Sequence, residues 1–151
     1  MAKLFVIITI LSTVAFVLAE ETIKGLNAKQ LEDLEEKIYE ECRVKENVAK
    51  SLMDEYDKQD GGVPNTTEFQ KMLVCFGEKM GYLVGGKANW DKLKLAEEIY
   101  HEANANDLKK ALEIQEQCKV HETHQHADLN ELVYELAKCA KEGYQKANLE
   151  W

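Results

Sequence analysis

Two cysteines, joined by a polar histidine-bearing connection and a strongly amphipathic segment, constrain this chain more than any other feature. The stretch runs from Cys118 to Cys139, CKVHETHQHADLNELVYELAKC. From Leu129 the apolar residues fall at Leu129, Leu132, Val133, Leu136, Ala140 and Tyr144. Steps of three and four place them in a single stripe along one face of a helix. Cys139 lies at the edge of that stripe, so it points inward. A thiol aimed at a core, across a polar loop from another cysteine, reads as one half of a bridge. That favours Cys118 for Cys139 and leaves Cys42 and Cys75 to each other, although spacing by itself keeps three connectivities open.

Disulfides require an oxidising compartment, and the N-terminus agrees. Residues 4–18, LFVIITILSTVAFVL, are an apolar run preceded by Lys3, and Val17-Leu18-Ala19 is a small-residue cleavage pattern. The run is shorter than the roughly 20 residues a spanning helix needs, and no basic cluster follows it. We therefore expect residues 1–19 to be a secretory signal peptide, with residues 20–151 forming a single domain. Removing Lys3 with that segment takes the formal net charge from −9 to −10. So acidic a chain is repelled by nucleic acid and by anionic membrane surfaces.

One proline among 151 residues and few β-branched runs predict an all-α fold of six short helices. Asn27 can cap the first, with Gln30 reaching back, and Leu31, Leu34, Ile38 and Cys42 share one face. A second helix is expected over Lys45 to Lys58, with Val48, Leu52, Met53 and Tyr56 inward. Asp60-Gly61-Gly62-Val63-Pro64 breaks it. Thr66 or Thr67 starts a third, burying Phe69, Met72, Leu73 and Phe76 beside Cys75. Gly81 ends that helix and Gly85-Gly86 opens a loop. Asn89 caps a fourth helix carrying Trp90, Leu93, Ala96 and Ile99. Asn104 or Asn106 caps a fifth carrying Leu108, Ala111, Leu112 and Cys118. The tail after Lys146 holds Leu149 and Trp151 with no helix of its own. Methionines and aromatics are numerous enough to line an adaptable cavity, although periodicity alone favours ordinary core residues.

These residues together resemble the insect pheromone-binding and general odorant-binding family. That family usually has six cysteines, with three residues between its second and third and eight between its fifth and sixth. Here Lys71 stands at the second-cysteine place, four positions before Cys75, within a segment reading CFGEKMG. Asn130 stands at the fifth, nine positions before Cys139. The two missing cysteines are bonding partners in the family, so their joint loss leaves no orphan thiol and matches its four-cysteine branch.

The resemblance implies Cys42–Cys75 and Cys118–Cys139 bridges and an internal hydrophobic cavity. It also implies a secreted carrier of odorants, pheromones or fatty-acid-like molecules. Small hydrophobic ligands and a membrane chemoreceptor are the implied partners, and the chain is expected to be a monomer or weak homodimer. Amphipathic position then offers Leu52, Met53, Tyr56, Phe69, Met72, Leu73, Phe76, Trp90, Leu112, Leu132, Val133 and Leu136 as wall residues. Leu149 and Trp151 could close the mouth, and Tyr56, Tyr134 or Asn130 could hydrogen-bond a ligand oxygen.

Other constellations carry less. His121, His124 and His126 could gather on a metal or titrate near neutrality, but a solvated connection explains them as well; we expect no metal and no cofactor. Asp57 to Glu68 mimics a calcium loop with too few carboxylates. Asn65-Thr66-Thr67 is a glycosylation sequon. No serine elbow, phosphate loop or HExxH motif occurs, so no enzyme is expected. The competing expectation is a secreted salivary, venom or reproductive-fluid factor acting through its surface.

Overall fold

The computed structural model describes residues 23–123, 126 and 128–151. The expected signal segment and His124 lie outside them. Six helices carry the fold: α1 (Ala28–Lys45), α2 (Lys50–Tyr56), α3 (Thr67–Met80), α4 (Trp90–Tyr100), α5 (Ala105–Cys118) and α6 (Leu129–Ala147). A 3-10 turn over Lys119–Thr123 links α5 toward α6. The fold is all-α, and the strands among the described residues are two pieces of two residues each. These are β1 (Leu83–Val84) and β2 (Lys87–Ala88), paired antiparallel. Between them Gly85 and Gly86 have φ of 59° and 77°, the sign that a two-residue hairpin turn needs at both positions.

Local chemistry sets where most helices begin. Asn27 Oδ1 accepts from the Gln30 N–H at 2.9 Å, and Gln30 Oε1 accepts from the Asn27 N–H at 3.1 Å, a complete capping box. Thr66, Asn89, Asn104 and Asp128 each accept a backbone N–H in the first turn of α3, α4, α5 and α6. Such caps are worth about 1 kcal/mol each. By contrast, α2 has no side-chain cap and spans seven residues. It starts at Lys50 rather than Lys45, because α1 runs on through Lys45 and the chain then turns at Asn47, whose φ is 56°.

Both disulfides form as the resemblance implied. Cys42–Cys75 ties α1 to α3 with Cα atoms 5.8 Å apart, and Cys118–Cys139 ties the end of α5 to α6 at 5.7 Å. Their sequence separations of 33 and 21 correspond to about 3 to 4 kcal/mol each on the chain-entropy account. Between them three apolar clusters fill the bundle. The first joins Cys42, Val48, Tyr56, Phe69, Met72, Leu73 and Cys75. The second gathers Ile23, Leu31, Met80, Tyr82 and Ala96. The third packs Ala111, Ile114, Cys118 and Leu149. Each fully buried large side chain, such as Phe69, contributes about 1.5 to 3 kcal/mol.

At the other end of α6, Asn148 adopts φ 52°. This left-handed residue stops the helix and turns the tail back, with the Leu149 N–H donating to Tyr144 O at 3.0 Å. Among the described residues no helix is long and apolar enough to cross a membrane.

Candidate functional site

The first cluster collects most of the expected wall residues. Tyr56, Phe69, Met72 and Leu73 are buried, and Leu52, Met53, Phe76, Val133 and Trp151 pack against them half-buried. Tyr56 meets Phe69 edge-on with ring centres 5.2 Å apart. Tyr39, which the α1 stripe did not include, stacks on Phe76 at 3.8 Å. Burial, then the neighbouring Tyr56, pushes the Tyr39 phenol well above its ordinary value. The residue as a whole is half-buried.

The apolar stripe of α6 behaves differently from that of α3. Leu129, Leu132, Val133, Leu136, Ala140 and Tyr144 are all half-buried. The one fully buried side chain on α6 is Lys141, at 1% exposure. Leu132 and Leu136 are half-buried but stand outside all three clusters, so they are not gathered with the other expected wall residues. Two other expected wall residues stand elsewhere. Trp90 packs in the third cluster and its Nε1 donates to Glu122 at 2.7 Å. Leu112 sits with Leu108 and Ala105 in an open groove of about 520 Å³ along α5, turned away from Ala111 and Ile114.

The tail closes over the first cluster through contacts the sequence did not disclose. Gln59 brackets it: its Nε2 donates to Leu149 O at 2.6 Å, and its Oε1 accepts from the Trp151 N–H at 2.9 Å. The Trp151 ring stands edge-on between Tyr56, at 5.6 Å, and Tyr144, at 5.5 Å. Beneath it the Lys141 ammonium lies 4.6 Å from the Trp151 ring centre and 5.0 Å from that of Tyr56, a cation–π arrangement. Lys141 also donates to the carbonyls of Tyr56 and Lys58, where α2 ends. Desolvation lowers its amine to about 8, against the opposing pull of Asp57, Asp60 and Glu55. A signal for Lys141 existed in the sequence, since it lies four positions after Ala137 and eight after Val133, on the inward face.

Two carboxylates are held inside the bundle by phenols. Glu35 accepts from Tyr82 at 2.6 Å and from Tyr100. Glu97 accepts from Tyr144 and, at 3.3 Å, from Gln115, with His101 3.4 Å away. Desolvation raises both carboxyls above the usual range, and the tyrosine hydrogen bonds pull the other way.

A second, smaller pocket of about 280 Å³ opens between the 60–63 loop and α6, with Tyr134 and Lys138 on its helical wall. Asn130, the other polar candidate, is half-buried on the first turn of α6. Of the histidine group, His126 Nε2 lies 2.6 Å from His121 O. Among the described residues no three His, Cys, Asp or Glu side chains converge as a metal site. Asn65 is exposed at the start of α3, where its Oδ1 accepts from Gln70 Nε2 at 2.8 Å.

Comparison with known proteins adds one positive finding. A family model described as the PBP/GOBP family matches residues 24–143. Comparison with curated proteins and with solved structures gives no match.

Proposed function

The chain belongs to the PBP/GOBP family, the insect pheromone- and odorant-binding proteins, and from that premise we propose that it is a secreted carrier of small hydrophobic molecules. The family consists of binding proteins rather than enzymes. The observation that carries the proposal is the α6 stripe: six apolar side chains at helical spacing, none of them fully buried, on a helix whose Val133 and Ala137 pack on a cluster rich in methionine and aromatic rings. A helix this amphipathic in a solid core would seal its stripe.

Leu52, Met53, Tyr56, Phe69, Met72, Leu73, Phe76, Leu132, Val133 and Leu136 form the proposed wall, and Trp151 its lid; Trp90 and Leu112 are left out of it. Ligand binding draws on apolar burial. Covering about 300 Å² of ligand at about 25 cal/mol per Å² yields about 7.5 kcal/mol before ordering costs, the scale of a micromolar complex. Secretion follows from the N-terminal segment, so the mature protein begins at Glu20 as one domain, and Asn65 is open to glycosylation.

The test is uptake of N-phenyl-1-naphthylamine by the purified mature chain, followed by displacement with medium-chain alcohols and esters. Micromolar uptake with competition supports a carrier. Absence of both sinks it and leaves a protein that acts through its surface. The intact mass of the secreted product checks the start at Glu20 and reveals any glycan on Asn65.

A further inference from the structure

The smaller pocket, beside the aromatic cluster, has a chemistry of its own. Its floor is Val63, which also packs against the first cluster. On α6, Tyr134 and Lys138 directly follow Val133 and Ala137, the two residues of that helix which pack on the cluster. One edge of α6 thus meets apolar side chains, and the adjacent edge lines the pocket with Tyr134 and Lys138. Across from them the loop is pinned: Gln145 Nε2 donates to Gln59 O at 2.9 Å and to Gly61 O at 3.0 Å.

The pocket's donors are unevenly used. Lys141 is committed to the carbonyls of Tyr56 and Lys58 and feels Asp57, Asp60 and Glu55. Glu142 lies 3.9 Å from Lys146. Among the described residues Lys138 makes no ion pair within 4 Å, the Tyr134 hydroxyl makes no hydrogen bond, and the Gly62 and Val63 amides donate none. The ammonium of a half-buried lysine, a phenol and backbone N–H groups beside an apolar side chain are the partners a carboxylate accepts from. They stand in a chain whose net charge is −9, so the general field does not favour an anion and the local donors must.

We infer that this pocket is a head-group subsite for ligand carboxylates. Lys138 is its cation and Tyr134 its hydroxyl donor, and the ligand's apolar chain runs past Val63 and Val133 into the first cluster. The inference rests on the carrier reading and narrows its ligands to amphiphiles with a terminal carboxylate. Asp60, which lines the same pocket, opposes the anion and moderates the preference.

Dodecanoic acid and methyl dodecanoate share a chain and differ in head-group charge. Displacement of N-phenyl-1-naphthylamine at pH 7.5 should favour the acid about tenfold, the range of one charge-assisted hydrogen bond away from bulk water. In K138M the acid-to-ester ratio should fall to about 1. K138R should keep most of it, and D60N should raise it. A wild-type ratio near 1, or a ratio unchanged in K138M, overturns the subsite while leaving the carrier intact. Failure of the wild-type chain to take up the dye at all overturns both.

Discussion

The two sides of α6 are built on opposite plans. Toward α5 the packing is close and covalently fixed. A Cβ on Gly143 would stand 2.5 Å from Ile114 Cγ2, so the helices approach as nearly as a missing side chain allows. Ala111 is fully buried there, and Cys118–Cys139 locks the pair. Toward α2 the side chains are large, half-buried and adaptable. Their support is a seven-residue helix without a side-chain cap, followed by glycines and a proline. The contrast is the arrangement that the proposed hollow requires of a small bundle. The close α5–α6 edge is covalently fixed, and the α1–α3 disulfide ties the cluster on the other side.

The comparison breaks most readily at Phe69. Phe69→Ala should cost about 3 to 5 kcal/mol in urea unfolding, since the ring is wholly enclosed. Met53→Ala should cost under about 1.5 kcal/mol, because that residue is already partly exposed. If the two variants lose equal stability, α2 belongs to a solid core and the proposed hollow is absent.

The covalent edge comes next. Replacing Cys118 and Cys139 together by serine should lose about 3 kcal/mol, with the thermal midpoint reporting the loss. Gly143→Val should lose about 1 to 3 kcal/mol by wedging α5 from α6. Gly62→Val, where a Cβ meets nothing within 4 Å, should stay within about 0.5 kcal/mol. Equal effects at the two glycines would deny the tight edge its special packing.

The smallest effect is a dependence on acid. Desolvation raises the Glu35 and Glu97 carboxyls in the folded chain, so the folded state holds their protons more tightly than the unfolded state does. Their contribution is present at low pH and is lost as pH rises through the raised values. The wild type should therefore gain thermal stability between pH 7 and pH 5 relative to the Glu35→Gln, Glu97→Gln variant. A parallel pH profile for the two proteins would show that the carboxylates sit in ordinary solvent.

Much of the architecture is written in local signals. Asn27 with Gln30, Thr66, Asn89 and Asn104 mark helix starts because a short polar side chain satisfies N–H groups within three residues of itself. The stripes of α3 and α6 follow from helical period alone. The α2 start lies at Lys50 rather than Lys45 because α1 ends on local signals, the basic Arg43 and Lys45 of its last turn and then Asn47 in the left-handed conformation. The Gly85-Gly86 loop proved a short hairpin. Within the site, Tyr56, Phe69, Met72 and Leu73 were legible as inward residues. Tyr39, Val63 and Ala137 were not, and Leu112 shared the helical period of a wall residue while facing an open groove.

By itself the sequence determined the helices, their caps and which faces are apolar, because those depend on interactions a few residues apart. The cysteine count and register further identified the family. Tertiary structure alone decided which apolar faces close and which stay half open, since that depends on how nearly two backbones can approach. It also decided that Gln59 would clasp Trp151 across 92 positions of chain and that the Trp151 ring would cover Lys141. Contacts over such separations leave no periodic trace; they exist only once the disulfides and the third cluster have brought the ends of the chain together.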